Sequence, residues 1–219
     1  GAPQAARGDT HPQRVRRVDI VELRDVIAQR YAAKHFDGRP IPEDKVRELL
    51  ELCRWAPSGC NMQPWRIKVV SDPVFKRELS AATYGEPQIE SCSHLLVFCA
   101  DADPTGLSKR LVARMDQEGV PEPSRSIVGG ITAEMCHIPG EAWMGYATAN
   151  TYLPAFLAQM VAKDLGFDAC LMTHFQPEDY SRILGLPESL IPVILVPLGY
   201  ADDQPLPKWR YSVEELLID

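Results

Sequence analysis

The stretch from Glu141 to Leu165 constrains this chain more than any other. Trp143, Met144, Tyr146, Ala147, Tyr152, Leu153, Phe156, Leu157, Met160 and Val161 put apolar side chains on nearly every side of a long helix. A helix without a polar face has to run through the middle of a globule or between two of them. Pro154 lies inside it and predicts a kink or a split, because proline lacks the N–H that the ladder needs and its ring strikes the preceding turn. Gly166 ends it.

Four segments around that helix read as strands: RIKVVS (66–71), HLLVFCA (94–100), FDACLMT (167–173) and IPVILVPLGY (191–200). The second is apolar at almost every position, so both of its faces are expected to be buried. Ile20, Leu23, Val26, Ile27 and Tyr31, behind Asp19 as N-cap, predict a helix that Gly38 and Pro40 end. Pro42, Glu43 and Asp44 open a second, with Val46, Leu49, Leu50 and Cys53 on one face. Asp72-Pro73 starts a short helix to about Ala82; residues 104–118 are helical, and 119–139, with Pro121, Pro123, Gly129, Gly130 and Pro139, reads as loop plus a short helix. Residues 176–185 form a capped helix and 212–217 a closing turn. Strands interleaved with helices mean an α+β or α/β fold. The apolar helix and strands offer more surface than one small globule buries, so part of it is expected to face a subunit partner.

With 45% hydrophobic and 24% charged residues, the 219-residue chain can build a real core. Its longest apolar runs are too short to span a bilayer. Residues 1–17 read as a disordered leader with Arg7, Arg14, Arg16 and Arg17 and no apolar stretch of the signal-peptide kind. The net charge is −7, and −10 with that leader set aside (19 basic against 29 acidic residues). Such a body is a poor partner for nucleic acid or an anionic membrane, where phosphate contacts supply most of the affinity. The six cysteines show no C-x-x-C, and four lie in or beside apolar runs, as reduced buried thiols do. The expected location is the cytoplasm. Dinucleotide-fold, P-loop, serine-elbow and zinc-protease signatures are absent, and the five histidines lack ligand spacing.

Three segments look equipped for chemistry. In RYAAKHF (30–36), Arg30 and Lys34 fall on one face if the helix continues, where two cations can grip one anion. They equally suit the negative end of a helix dipole. In APSGCNMQPW (56–65), two prolines stiffen a loop that offers Ser58, Asn61 and Gln63 directly ahead of a strand. In LPKWR (206–210), Lys208 and Arg210 follow the last strand. Alone they read as a solvated pair. Together the four cations suffice for a terminal phosphate, at about 1.5–3 kcal/mol per charged hydrogen bond.

These segments, in this order, resemble the FMN-dependent nitroreductase family over roughly residues 20–217, closest to its oxygen-insensitive NAD(P)H nitroreductase and flavin reductase branch. SHLLVFCA (93–100), Trp143-Met144 and GFDACLMTHF (166–175) match as well. The resemblance implies an α+β fold, with a mostly antiparallel central sheet flanked by helices. It implies an interlocked homodimer around the long helix, one domain over 18–219, and a variable lid at 104–140. FMN would lie at the dimer interface, its phosphate held by Arg30, Lys208 and Arg210 beside Tyr31. Ala32 stands where the family usually has a serine, which removes one hydrogen bond worth about 1 kcal/mol. Lys34 would sit near N1 and O2 of the ring and Gln88 near its pyrimidine edge. Pro57, Ser58, Gly59 and Asn61 would come from the partner chain, and the backbone of Thr173 and His174 would face N5. His174 departs from the family's usual glycine. NAD(P)H would then reduce the flavin, and a nitroaromatic, quinone or flavin-like planar acceptor would reoxidise it, with no protein nucleophile. The alternatives within the resemblance are a reduced-FMN dehalogenase, a flavin-destroying relative and a catalytically silent FMN-binding protein.

Overall fold

A computed structural model describes residues 22–218 of the protein. The leader over 1–17 and the predicted cap at Asp19 lie outside the described residues. Elements are numbered in chain order.

The centre is β2 (His94–Asp101), buried along its whole length. It pairs antiparallel with β1 (Trp65–Val70) on one side and β4 (Leu190–Gly199) on the other, and the short β3 (Asp168–Ala169) completes the order β1-β2-β4-β3. Alternate β2 residues face opposite layers. Leu96 and Phe98 pack with Ala155, Ala158 and Ala162 of the long helix α7 (Gly140–Asp164) and with Leu49 and Cys53 of α2 (Glu43–Cys53). Leu95 and Val97 face Leu79 of α3 (Pro73–Ala81), Ile89 of α4 (Pro87–Ser91) and Tyr180 of α8 (Pro177–Leu184). Helices on both faces explain why β2 carries no polar alternation. The fold is α+β with an antiparallel sheet.

Three expectations change. α7 runs unbroken through Pro154. An interior proline costs about 3 kcal/mol, but Pro154 is buried beside the alanines that seat α7 on the sheet, and that packing outweighs the lost ladder bond. Residues 119–139, expected as loop plus a short helix, contain the 14-residue helix α6 (Glu122–Met135). Pro123 falls in its first turn, where no N–H is missed, and α6 packs beside α5 (Pro104–Gln117) through Ser108 and Thr132, whose hydroxyls meet at 2.9 Å. The predicted strand 167–173 keeps only two ladder residues, with Met172 bridging Leu195 further along. The turn at 212–217 is α9 (Val213–Leu216), closed by a reciprocal capping pair of Ser212 and Glu215.

Candidate functional site

The first helix, α1 (Leu23–Gln29), stops at Arg30, whose ψ of 141° is extended. Arg30 and Lys34 therefore do not share a helical face. Residues 30–36 instead run along the sheet edge, with Ala32 bridging Ala169 and Phe36 bridging Ala201. In extended chain alternate residues face one way, so Arg30, Ala32 and Lys34 still share a side, by period two. Phe36 lies across Gly199, where a Cβ would come within 2.6 Å of its ring. Only glycine at 199 lets the two segments approach so closely.

A pocket of about 280 Å³ opens at this edge, and Arg30, Lys34, Lys208 and Arg210 all line it, together with Tyr31 and Ala32. Lys208 Nζ donates to the carbonyls of Ile27 and Ala28, tying it to the end of α1. Desolvation, then the charges of Arg30 and Arg210, hold its pKa below the usual lysine value. Among the described residues none of the four cations pairs with a carboxylate. Asp203 also lines the pocket but is engaged: it accepts from the Tyr31 hydroxyl at 2.8 Å and the Lys34 backbone N–H at 2.7 Å. Burial and that bond push the Tyr31 phenol far above its usual pKa, so it stays a neutral donor. Four cations crowded together, none of them paired with a carboxylate among the described residues, are the donor set a terminal phosphate requires, and the residues present fit one. Asp203 carries no local signal in the sequence, since it is the second of two adjacent aspartates after a strand and nothing there separates its role from that of Asp202.

Loop 56–64 stands apart from this pocket within one chain; Pro57, Ser58, Gly59 and Asn61 do not line it. Cys60, Asn61 and Gln63 hold φ of 50°, 53° and 47°, a region that non-glycine residues visit at a cost. α7 supplies the restraint. Asn150 Oδ1 accepts the Gly59 N–H at 2.8 Å, and the Tyr146 hydroxyl donates to the Gly59 carbonyl. A Cβ on Gly59 would meet the Tyr146 oxygen at 2.8 Å. Within the loop, Ser58 Oγ accepts the Gln63 N–H at 3.0 Å. Tyr146 and Asn150 were not expected to matter, although a polar asparagine in an otherwise apolar helix was a readable sign.

Thr173 and His174 are exposed just past the Met172 bridge, and the His174 ring stacks on Tyr84 at 4.2 Å between centroids. Gln88 is fully buried; its Nε2 donates to Glu86 at 2.9 Å and its Oε1 has no hydrogen-bond partner. Cys170 links these regions. Burial raises its pKa, Lys34 acts against that, and Glu86 and Asp203 add to it. Trp65 is core, and His94 is held between Ser93 Oγ at 2.8 Å and Glu43 at 3.1 Å, a clamp on the start of α2. All six cysteines are free thiols.

The family model described as the nitroreductase family matches residues 27–200. The chain is 29% identical over 206 residues to a Thermus thermophilus protein named NADH dehydrogenase, covering 91% of this chain and 96% of that one. It is 27% identical over 180 residues to Bacillus subtilis YodC, provisionally named an NAD(P)H nitroreductase, covering 81% and 88%. A crystal structure from Exiguobacterium sibiricum in complex with FMN shares the fold, with a TM-score of 0.82 at 21% identity over 90% of this chain and 96% of that one. With the family match running from α1 through the last residues of β4 and this sheet at its centre, the chain belongs to the nitroreductase family.

Proposed function

We propose that the protein is an FMN-dependent NAD(P)H oxidoreductase acting on small planar acceptors such as nitroaromatics, quinones or flavins. The convergence of Arg30, Lys34, Lys208 and Arg210 on one pocket, without carboxylate partners among the described residues, carries this reading. It matches a dianionic phosphate held in a chain that is otherwise acidic. The FMN complex of a protein with this fold supports the same choice of ligand.

On this reading Arg30, Lys208 and Arg210 hold the phosphate, and Tyr31 shapes its pocket while Asp203 fixes Tyr31 and the Lys34 backbone. Ala32 leaves one donor out. Lys34 sets a positive charge beside N1 and O2, and Gln88, whose side chain is sealed in the free chain, reaches the pyrimidine edge only through a shift of the segment around α4. Thr173 and His174 present backbone toward N5. Pro57, Ser58, Gly59 and Asn61 reach the ring from a second copy. FMN, when bound, would supply the redox chemistry, hydride transfer between NAD(P)H and the acceptor in a ping-pong cycle. The chain's part is to bind, orient and keep bulk water from one face.

A second copy is called for by the apolar surface that one chain leaves open. Trp209, Tyr211 and Leu217 are 78%, 75% and 68% exposed, and Phe156 on α7 is 52% exposed. Surface of this kind marks an interface. A single domain from residue 18, with α5 and α6 as its lid, completes the arrangement. Six free thiols support a reducing, cytoplasmic setting. Among the described residues no helix is long and apolar enough to cross a membrane.

The test is the absorption spectrum of freshly purified protein, followed by anaerobic titration with NADH and NADPH. A flavin band that bleaches with either coenzyme and returns with a quinone is the expected result. Colourless protein that takes up no added FMN would overturn the reading.

A further inference from the structure

Beside loop 56–64 three guanidinium groups meet. Arg66 on β1 and Arg110 and Arg114 on α5 line a second pocket of about 150 Å³, with Gln63 and Met62 of the loop on its wall. Arg110 and Arg114 lie four residues apart on α5 and so project together, while Arg66 reaches across from the sheet. The buried carboxylate among them is Asp101, whose side chain is 5% exposed. Its Oδ2 accepts from Arg110 at 2.7 Å and its Oδ1 from the Asp103 N–H at 3.0 Å, leaving Arg66 at 3.9 Å. Arg114 pairs with Glu118, one turn further on. Desolvation, then the charge of Arg110, depresses the Arg66 pKa, with Asp101 acting against them.

We propose that this pocket is a subsite for a phosphate monoester, namely the 2′-phosphate of NADPH, and that it favours NADPH over NADH. The assignment of the coenzyme rests on the flavoenzyme reading above, in which loop 56–64 reaches the flavin ring that NAD(P)H must meet. The adenosine end of the same coenzyme then lies along the α5 side of that loop. A monoester dianion offers three oxygens to planar guanidinium forks, and arginine beside the ribose is the general means of selecting the phosphorylated coenzyme. The pocket, of about 150 Å³, has room for one such group.

Two readouts on the holoenzyme test this. Steady-state rates give the ratio of kcat/KM for NADPH to that for NADH. Calorimetric titration with adenosine 2′,5′-bisphosphate, 5′-AMP and inorganic phosphate reads the subsite without turnover. Arg66→Gln and Arg114→Gln are the informative variants, because Arg110 is needed to satisfy the buried Asp101. Lys109→Gln, exposed on α5 outside the pocket, removes the same charge as a control. The expected result is a loss of about tenfold in the NADPH:NADH ratio in both arginine variants. The preference for the bisphosphate over 5′-AMP should disappear with it, and Lys109→Gln should keep both. An equal loss in Lys109→Gln would reduce the effect to diffuse charge and overturn the subsite. Binding of inorganic phosphate with no preference for the bisphosphate would assign the pocket to free phosphate and overturn the coenzyme. Failure of the flavoenzyme reading shows separately, as protein that binds no FMN, while the calorimetry still reports on the three arginines.

Discussion

Asn150, midway along the long helix, accepts the N–H of Gly59 across 91 positions of chain, at 2.8 Å. One turn earlier Tyr146 takes the carbonyl of the same glycine. The loop with three positive φ values is thus gripped at a single residue from both sides, and its shape is a property of α7 as much as of the loop itself. Asn150→Ala is expected to cost about 1 kcal/mol of stability and to weaken FMN retention as well. Thermal denaturation and an FMN titration check this. A stability loss with unchanged FMN affinity would remove loop 56–64 from the flavin site.

Arg210→Ala should release FMN far more readily than Trp65→Phe. A lost charged hydrogen bond of about 1.5–3 kcal/mol corresponds to a rise in Kd of about 10- to 100-fold. Trp65 is core and is not among the residues that line the cation pocket. Equal retention by the two variants would count against the phosphate assignment.

Ala32→Ser restores the hydroxyl that the pocket lacks. Ala32 is exposed in the pocket wall, so the added oxygen meets no core packing. A gain of about 1 kcal/mol, or about fivefold in FMN affinity, is expected. An ultrafiltration assay of bound flavin measures it, and weaker binding would place the phosphate elsewhere.

Gln88→Leu separates cofactor binding from stability. An unsatisfied buried oxygen costs about 1–3 kcal/mol, so removing it should offset the lost Glu86 bond and leave the apoprotein melting near the wild-type temperature. The holoprotein should lose the extra stabilisation that FMN provides. Identical FMN-induced shifts in both proteins would show that Gln88 never reaches the ring.

Burial pushes the thiols of Cys53, Cys92 and Cys99 up to about 12. In the unfolded chain they ionise near about 8.5. Their contribution to stability is therefore complete below that pH and is lost progressively as pH rises toward about 12, because only the unfolded state releases the protons. Denaturant melts between pH 8 and 11 should show falling stability, and a thiol reagent at pH 8 should reach these three only after unfolding. Ready labelling of the native protein would contradict their burial.

Periodicity made the main elements legible. The all-apolar run became β2 with both faces covered, and α2 buries Val46, Leu49 and Cys53 as its spacing required. The cation set was legible too, because charge in an acidic chain stands out whatever the backbone does. Its geometry was not. Helical spacing at Arg30 and Lys34 gave way to an edge strand once Ala32 found Ala169, a partner 137 positions away. The continuity of α7 through Pro154 depends on a sheet laid against it, and the prolines and glycines of 121–130 yield a helix only because α5 stands beside them. Asp203, Tyr146 and Asn150 act on residues remote along the chain, and no local pattern marks such pairs.

By itself the sequence determined the long helix, the buried strands and α2, together with the faces they bury and the residues that carry the charge, since these follow from repeats of two or four residues and from composition. Tertiary structure alone decided that Arg30, Lys34, Lys208 and Arg210 meet in one pocket, that Asp203 stays out of their pairing, and that a strained loop is anchored on α7. Those outcomes turn on contacts between distant segments, where a hydrogen bond or a packed ring outweighs the local preference of either partner.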